Sequence, residues 1–221
     1  MNIKIAPSML SADFTNLERD LKEVENNGAE YLHVDIMDGH FVPNITIGPD
    51  QVAQLRKVVS IPFDVHLMIS EPLKYIDQFA DAGADIITVH MESDGDTQTC
   101  INAIVKKGVR PGLVVSPDTS LEVIKPYLDQ ISMILIMCVY PGFGGQSYIP
   151  ESTEKIRACR QMIGNRNIDL QVDGGINFNT LKEVVEAGAN VIVSGSCLFK
   201  GDMKKNLGQF RKIIKESILK F

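Results

Sequence analysis

The sequence lacks a basic stretch and any paired arrangement of its cysteines. Its 22 lysine and arginine residues are outnumbered by 28 acidic residues, and the charges are spread evenly along the chain, giving a formal net charge of -6. A protein that binds nucleic acid usually presents a basic face, so we exclude nucleic acid as a partner. The four cysteines form no C-x-x-C pair and no disulfide-like spacing. This pattern is typical of reduced thiols in a cytoplasmic protein.

Long apolar runs are also missing. The longest, near residues 131–139, is far shorter than the roughly 20 residues that cross a bilayer. Near the N-terminus, Pro7 and Asp13 interrupt the apolar segment that a signal peptide would need. We therefore expect a soluble, cytoplasmic protein with no membrane partner.

What the sequence does contain is a repeated unit of an amphipathic helix, a glycine and an apolar strand. The junction is clearest at Gly28, Gly83 and Gly188, each of which is followed by alanine and then by a strand pattern. Apolar strands between helices are typical of a parallel sheet covered by helices. Eight strands are predicted, at residues 3–8, 31–37, 63–68, 85–90, 111–115, 133–139, 168–173 and 191–194, and helical patterns follow them from Phe14, Pro49, Pro72, Thr97, Ser120, Glu151, Thr180 and Asp202.

Two α/β architectures have this alternation, the open doubly wound sheet and the closed (β/α)8 TIM barrel. The chain has no G-x-G-x-x-G after its first predicted strand. Its 221 residues divided by eight give about 28 per unit, close to the roughly 30 of a strand plus its crossover helix. Both observations favour the barrel. No linker or low-complexity tract interrupts the chain, so we predict a single domain over residues 1–221.

Polar side chains lie near the carboxyl ends of three predicted strands, where barrel enzymes have their active sites. Because side chains alternate across a strand, each strand presents its polar residues on one face: His33, Asp35 and Met37 on the second, Asp64, His66 and Met68 on the third, and Gln171 and Asp173 on the seventh. The two histidines and two of the aspartates, His33, Asp35, His66 and Asp173, predict a site for one divalent cation such as zinc, iron or manganese. A lone histidine at a strand end is more often a core residue, and that reading stays open for His40 and His90.

Glycine-rich loops follow the last three predicted strands, and they contain Gly142, Phe143, Gly144, Gly145, Gly174, Gly175, Gly195 and Ser196. Backbone amides exposed by glycine, with a helix start behind them, bind phosphate without a lysine. None of these loops contains lysine or arginine, so we predict an anion held chiefly by amides and Ser196. A single glycine pair would be an ordinary turn. Met37, Met68 and Met137 end strands on the inward face, where they either pack in the core or form an apolar wall beside a delocalised anion.

These motifs resemble those of the ribulose-phosphate 3-epimerases. The resemblance rests on residues 33–44 (HVDIMDGHFVPN), 64–68, 141–146, 172–176 and 195–196, and it runs in order from residue 5 to about residue 199. It implies a barrel of the ribulose-phosphate-binding type with one divalent metal ion per subunit, usually zinc, with iron, manganese or cobalt as alternatives. The implied metal ligands are His33, Asp35, His66 and Asp173. The implied substrate contacts are Ser8, His66, Asp173 and the glycine-loop residues Gly142, Phe143, Gly144, Gly145, Gly174, Gly175, Gly195 and Ser196.

The resemblance also implies an isomerase of carbohydrate metabolism, in the pentose phosphate pathway. The reaction is the 3-epimerisation of a ketose phosphate, first of all ribulose 5-phosphate to xylulose 5-phosphate. Inverting a carbon beside a ketone requires one carboxyl group to remove a proton and another to return one from the opposite face, through an enediolate that the metal stabilises. Asp35 and Asp173 are the implied pair. We also expect a homo-oligomer.

One segment departs from the family pattern. Cys138-Val139-Tyr140 stands where the family usually has Thr or Ser, then Val, then Asn, Asp or Glu. Tyr140 precedes the phosphate loop, so we place it in the pocket wall and keep the interconversion of allulose 6-phosphate and fructose 6-phosphate as the alternative reaction.

Two further functions stay open. A related decarboxylase would carry Asp-x-Lys-x-x-Asp and a Schiff-base aldolase a strand-end lysine, but residues 35–38 contain no lysine and no predicted strand ends in one. The other is a sugar-phosphate binder without catalytic activity.

Overall fold

The computed structural model describes residues 2–218, and all eight predicted strands are present in it. They are β1 Lys4–Pro7, β2 Leu32–Met37, β3 Phe63–Met68, β4 Ile86–His90, β5 Arg110–Val115, β6 Met133–Met137, β7 Asp169–Asp173 and β8 Val191–Ser194. The largest deviation is at the end of β6, which stops at Met137 and leaves Cys138 and Val139 in the following loop. Residues 1 and 219–221 lie outside the described residues, so the domain bounds 1–221 stay a prediction.

The strands form one parallel sheet that curls into a barrel. Each strand from β2 to β7 pairs with the next one in the chain, and β8 pairs with β1. At the remaining seam, Ser8 and His33 form a bridge between β1 and β2, and the amides of Glu30 and Tyr31 donate to the carbonyl of Ile5 at 3.1 and 3.3 Å. The architecture is therefore the predicted (β/α)8 barrel rather than an open doubly wound sheet.

Helices cover the outside of the barrel. The α-helices are α1 Leu17–Asn26, α2 Pro49–Leu55, α3 Ile76–Asp81, α4 Thr97–Lys106, α5 Ser152–Ile163, α6 Leu181–Glu186, α7 Ser196–Phe199 and α8 Met203–Ile218, and 3-10 helices occupy Met9–Ser11, Pro72–Lys74 and Leu121–Tyr127. The helix predicted from Ser120 is thus a 3-10 helix, because Pro126 within it lacks the amide that an α-helix needs. Among the described residues, no helix is long and apolar enough to cross a membrane.

The main core lies between the barrel and its helices. Leu21 and Val24 of α1 are buried in the same apolar cluster as Val34 and Ile36 of β2. Because side chains alternate along a strand, packing Val34 and Ile36 outward turns the remaining residues of β2 toward the inside of the barrel. The alternation therefore brings the polar face of β2 to the interior, as it does for β3.

Candidate active site

A cavity of about 280 Å³ opens at the carboxyl ends of the strands. Most of the predicted site residues line it, namely Ser8, Asp35, Met37, Met68, Met137, Gly142, Phe143, Gly144, Gly145, Asp173, Gly174, Gly175, Gly195 and Ser196. His33 and His66 are fully buried and are not among its lining residues. The geometry therefore shows a contact of His66 with Asp35, and the direct contact of His66 with a substrate stays a prediction.

The four predicted metal ligands converge at the inner end of this cavity. One ligand atom from each of His33, Asp35, His66 and Asp173 lies within 4.8 Å of the other three. Oδ1 of Asp35 is 3.3 Å from Nε2 of His33 and 3.3 Å from Nδ1 of His66. Oδ2 of Asp173 is 3.9 Å from Nε2 of His33. Strands β2, β3 and β7 thus bring together side chains that are far apart in the sequence.

The donor set fits a divalent cation. Nε2 of His33 is buried and has no hydrogen-bond partner, although it faces the oxygens of Asp35 and Asp173. Zinc binds nitrogen and oxygen at roughly 2.0–2.2 Å, so neighbouring ligands of a tetrahedral zinc ion are about 3.3 Å apart, which matches the two shortest separations. Burial lowers the pKa of His33, but the charges of Asp35 and Asp64 outweigh it and raise that pKa well above its usual value. The surroundings of His33 therefore favour a positive charge at this place.

The two carboxyl groups of the cavity hold their protons differently. Burial and, after it, the charge of Asp35 raise the pKa of Asp173 to about 7. Burial would also raise the pKa of Asp35, but the positive charge of His33 lowers it well below its usual range. Oδ2 of Asp35 also accepts a hydrogen bond from Ser8 Oγ at 2.6 Å. Near neutral pH the pair therefore consists of an ionised Asp35 and an Asp173 that readily holds a proton.

A buried carboxylate that we did not include in the predicted site supports His33. Oδ2 of Asp64 lies 2.7 Å from Nδ1 of His33 and also accepts a hydrogen bond from Nε2 of Gln171. Asp64 thereby leaves Nε2 of His33 to face Asp35 and Asp173. The signal for it was in the sequence, since Asp64 shares a strand face with His66.

The two histidines outside the predicted ligand set have different surroundings. His40 lies in the loop after β2, where its Nδ1 is 3.0 Å from the carbonyl of Asp38. His90 is buried at the end of β4, and its two ring nitrogens contact His66 and Glu92. His90 is therefore buried, as a core residue would be. It is also hydrogen-bonded to His66, a predicted metal ligand.

The glycine loops surround the outer half of the cavity. The loop after β6 includes Phe143, whose side chain is 56% exposed, and the residues that follow β7 and β8 complete the rim. Helix α7, which the sequence did not predict, begins at Ser196 directly after the loop that follows β8. No lysine or arginine lines this cavity among the described residues, which agrees with the prediction of an anion held by amides.

Tyr140 lies outside the cavity, contrary to its predicted place in the pocket wall. It is 53% exposed, and its hydroxyl donates to the carboxylate of Asp118 at 2.9 Å. Strand β6 ends at Met137, so two residues separate Tyr140 from the strand and it no longer follows the inward-outward alternation. The exposed carboxylate of Asp118 gives the tyrosine hydroxyl a partner away from the cavity. Met37, Met68 and Met137, in contrast, do line the cavity as predicted.

Comparisons with known proteins agree with this geometry. The model of the ribulose-phosphate 3-epimerase family matches residues 4–199. The chain belongs to this family. It is 46% identical over 213 residues to ribulose-phosphate 3-epimerase of Bacillus subtilis, a match that covers 95% of this chain and 98% of the relative. It is 50% identical over 202 residues to ribulose-phosphate 3-epimerase of Synechocystis, covering 90% of this chain and 88% of the relative.

More distant structures share the barrel. The crystal structure of 3-hexulose-6-phosphate synthase from Salmonella typhimurium superposes with a TM-score of 0.74 at 16% identity, over 97% of this chain and all of that chain (100%). A likeness at this level of identity shows the fold alone. The alternative decarboxylase or aldolase function therefore gains nothing from it, whereas membership of the epimerase family makes the protein an isomerase by family.

Proposed function

We propose that this protein interconverts ribulose 5-phosphate and xylulose 5-phosphate by moving a proton at C3. The family and the relatives named above support this reaction, and their name favours the five-carbon substrate over allulose 6-phosphate. The observation that carries the mechanism is the pair formed by Asp35 and Asp173 in one cavity, with opposite preferences for a proton. The sugar phosphate is the only partner that we propose. A homo-oligomer and a cytoplasmic location stay predictions from the sequence.

Each carboxyl group has one task in this mechanism. Asp35 is ionised, so it acts as the base that removes the C3 proton of one epimer. The pKa of Asp173 is raised to about 7, so this residue can carry a proton near neutral pH and return it to C3 from the other side. In the reverse direction the two residues exchange these tasks. A positioned acid or base contributes about 10²–10⁴-fold to such a rate.

His33, Asp35, His66 and Asp173 would hold the divalent metal ion. When it is bound, this ion would supply a Lewis acid that stabilises negative charge on the oxygens next to C3. Nitrogen and carboxylate ligands suit zinc, and they also accommodate iron, manganese or cobalt. Ser8 donates a hydrogen bond to Oδ2 of Asp35 and thereby keeps the other oxygen, Oδ1, turned toward the histidines.

The glycine loops would bind the phosphate of the substrate at the outer end of the cavity. Gly144, Gly145, Gly175, Gly195 and Ser196 all line that end, and their amides can donate to phosphate oxygens. A phosphate bound there would lie away from the carboxylates, so the negative charges of substrate and protein would stay apart. Met37, Met68 and Met137 line the cavity and would give the reacting carbon apolar neighbours.

Replacing Asp173 with asparagine tests this mechanism. Asp173→Asn keeps an oxygen beside the metal site but cannot return a proton, so we expect epimerisation to fall by about 10²–10⁴-fold. The epimer whose proton Asp35 removes should still exchange its C3 hydrogen with deuterium from the solvent, which NMR measures. The metal content of the variant must equal that of the wild type for the comparison to hold. Unchanged turnover would contradict the two-base mechanism.

A further inference from the structure

The ring of His66 has a second nitrogen that faces away from the cavity. Its Nδ1 is 3.3 Å from Asp35, on the side of the metal ligands, whereas its Nε2 is 2.9 Å from Nε2 of His90. At its other edge, Nδ1 of His90 is 3.0 Å from Oε2 of Glu92. Both imidazole rings are buried, so water cannot replace these contacts. The three side chains form a continuous chain from the proposed metal site to the loop after β4.

The carboxylate of Glu92, the outermost of these three side chains, is held in place by a backbone amide. Oε1 of Glu92 accepts a hydrogen bond from the amide of Ser116 at 2.8 Å and another from the hydroxyl of Thr119. An amide can only donate, so this oxygen of Glu92 has to be an acceptor. The second oxygen of the carboxylate is thereby directed at His90, and it is an acceptor as well.

These contacts determine which nitrogen of each ring carries the proton. Because Glu92 only accepts, Nδ1 of His90 carries the proton of their hydrogen bond. With one proton on that ring, Nε2 of His90 has a lone pair and must accept from Nε2 of His66. Nε2 of His66 therefore carries a proton, and Nδ1, which lies on the side of Asp35, is the nitrogen left for the metal ion.

We propose that His90 and Glu92 are positioning residues that fix the tautomer of His66, so that its Nδ1 has a lone pair available for the metal ion. The inference rests on the proposed metal site and adds to it the two residues that orient one ligand. A histidine ligand usually donates its other ring N–H to an acceptor, which sets both the tautomer and the angle of the ring. Here the acceptor is a second histidine, and the carboxylate lies one residue further out.

The second histidine ligand shows the opposite arrangement. His33 faces the site with Nε2, and its Nδ1 is held directly by Asp64. The two ligands would therefore bind through different nitrogens, each with a carboxylate behind it. Because Asp64 is completely buried whereas the side chain of Glu92 is 27% exposed, Glu92 is the one that can be replaced without opening the core.

Two substitutions of Glu92 distinguish a reversal of its hydrogen bond to His90 from the simple loss of its side chain. In Glu92→Gln, the amide of Ser116 requires the side-chain oxygen, so the NH2 group faces His90 and donates to it. The hydrogen bonds between Glu92, His90 and His66 then all reverse their direction, and His66 carries its proton on Nδ1, where the metal should bind. In Glu92→Ala, water can reach the vacated position and accept from His90, so the original direction remains allowed.

The primary measurement is zinc affinity of the full-length protein by competition with a chromophoric chelator. We expect Glu92→Gln to weaken zinc binding by about 10- to 100-fold, which is typical for the loss of a residue that orients a metal ligand. Glu92→Ala should cause a smaller loss. Asp94→Asn is the matched control, because it removes the same charge from an exposed position two residues away, and its affinity should equal that of the wild type.

A second measurement reports the tautomer itself. Long-range proton–nitrogen NMR of the zinc-free full-length chain, labelled at histidine with 15N, shows which ring nitrogen is protonated. We expect the proton of His90 on Nδ1 in the wild type and on Nε2 in Glu92→Gln. Equal zinc affinity in Glu92→Gln and Glu92→Ala, or an unchanged tautomer, would overturn the proposal. A wild-type protein that binds no divalent metal would instead refute the proposed metal site, so the two failures can be distinguished.

Discussion

At the scale of single residues, neighbours decide what each polar side chain can do. Asp35 and Asp173 are chemically identical and line one cavity, yet Asp35 is surrounded by His33, His66 and Ser8, whereas Asp173 has the charge of Asp35 beside it. The first environment favours the charged carboxylate and the second favours the proton. An acid and a base thus arise from one type of side chain.

Tyr140 gives a prediction at this scale. Because its hydroxyl binds Asp118 and its ring lies outside the cavity, we expect Tyr140→Asn to leave unchanged the ratio of kcat/KM for ribulose 5-phosphate to that for allulose 6-phosphate. Steady-state kinetics with both substrates measures this ratio. Phe143→Ala serves as the comparison, since Phe143 does line the cavity, and its KM should rise. A change of the ratio by more than about tenfold, or 1.4 kcal/mol, in Tyr140→Asn would mean that this residue selects the substrate.

The sequence predicts the metal ligands better than it predicts the residues that orient them. His33, Asp35, His66 and Asp173 could be found because inward-facing positions of a strand follow from its alternation. The pairing of His90 with His66 could not, because it depends on the register of β3 against β4 and on the ring rotamers. Glu92 was also missed, since its two acceptor contacts come from the loop after β5, which local sequence does not place.

At the scale of elements, the connections differ from the prediction more than the strands do. Periodicity indicates a helix from Ser120, but Pro126 makes this segment a 3-10 helix. The proline is visible in the sequence, so this difference could have been predicted. Helix α7 has only four residues, too few to show any period. The strands, in contrast, are uniformly apolar on the face that packs on the helices, so their ends could be placed within two residues.

The contact between two loops gives the prediction at this scale. Gly175 has φ +68°, and a Cβ there would overlap the backbone of Tyr148, just before α5. Gly108, at the end of α4, has the similar φ of +74° but open space around it. We expect Gly108→Ala to lower the free energy of unfolding by about 1–2 kcal/mol through left-handed strain alone. Gly175→Ala should lower the free energy of unfolding by more than this, because the loops after β6 and β7 must also separate.

Urea unfolding of the two variants measures the difference. The comparison is matched, since both substitutions add one methyl group to a residue with nearly the same backbone angle. Equal losses in the two variants would show that the loop after β7 can move away from Tyr148 without cost. In that case the two loops would not form the fixed phosphate site proposed above.

At the scale of the whole molecule, the barrel could be predicted because the unit of helix, glycine and strand recurs along the chain. Gly28, Gly83 and Gly188 all have positive φ between a helix and the next strand, as the repeated junction predicted. The closing seam could not be foreseen, since it joins β1 and β2 through one bridge between Ser8 and His33 instead of a full ladder. Periodicity defines strands, but only the assembled barrel defines how the first and second of them meet.

Metal binding should stabilise the whole barrel. The ligands come from β2, β3 and β7, so unfolding any of these strands destroys the site. A ligand that binds only the folded state at about 1,000 times its Kd contributes about 4 kcal/mol. For a domain of this size that corresponds to a rise in Tm of roughly 8–16 °C. We therefore expect chelator-treated protein to melt lower by this amount and to recover when zinc is added.

Differential scanning calorimetry with and without zinc checks this expectation. His66→Asn is the control, because it removes one buried ligand and should melt at nearly the same temperature in both conditions. A wild-type Tm that does not respond to zinc would contradict the assignment of these residues as a metal site.

The seam between β1 and β2 has a consequence for how the protein is made. Strand β1 has its ladder with β8, the last strand to leave the ribosome, and only a single bridge to β2, the next one. During synthesis the first strand of the barrel therefore has no full partner until the last strand of the barrel has been made. His33, Asp35 and His66 emerge early on the paired strands β2 and β3, whereas Asp173 arrives with β7. During translation the fourth metal ligand and the strand that closes the barrel thus become available almost together.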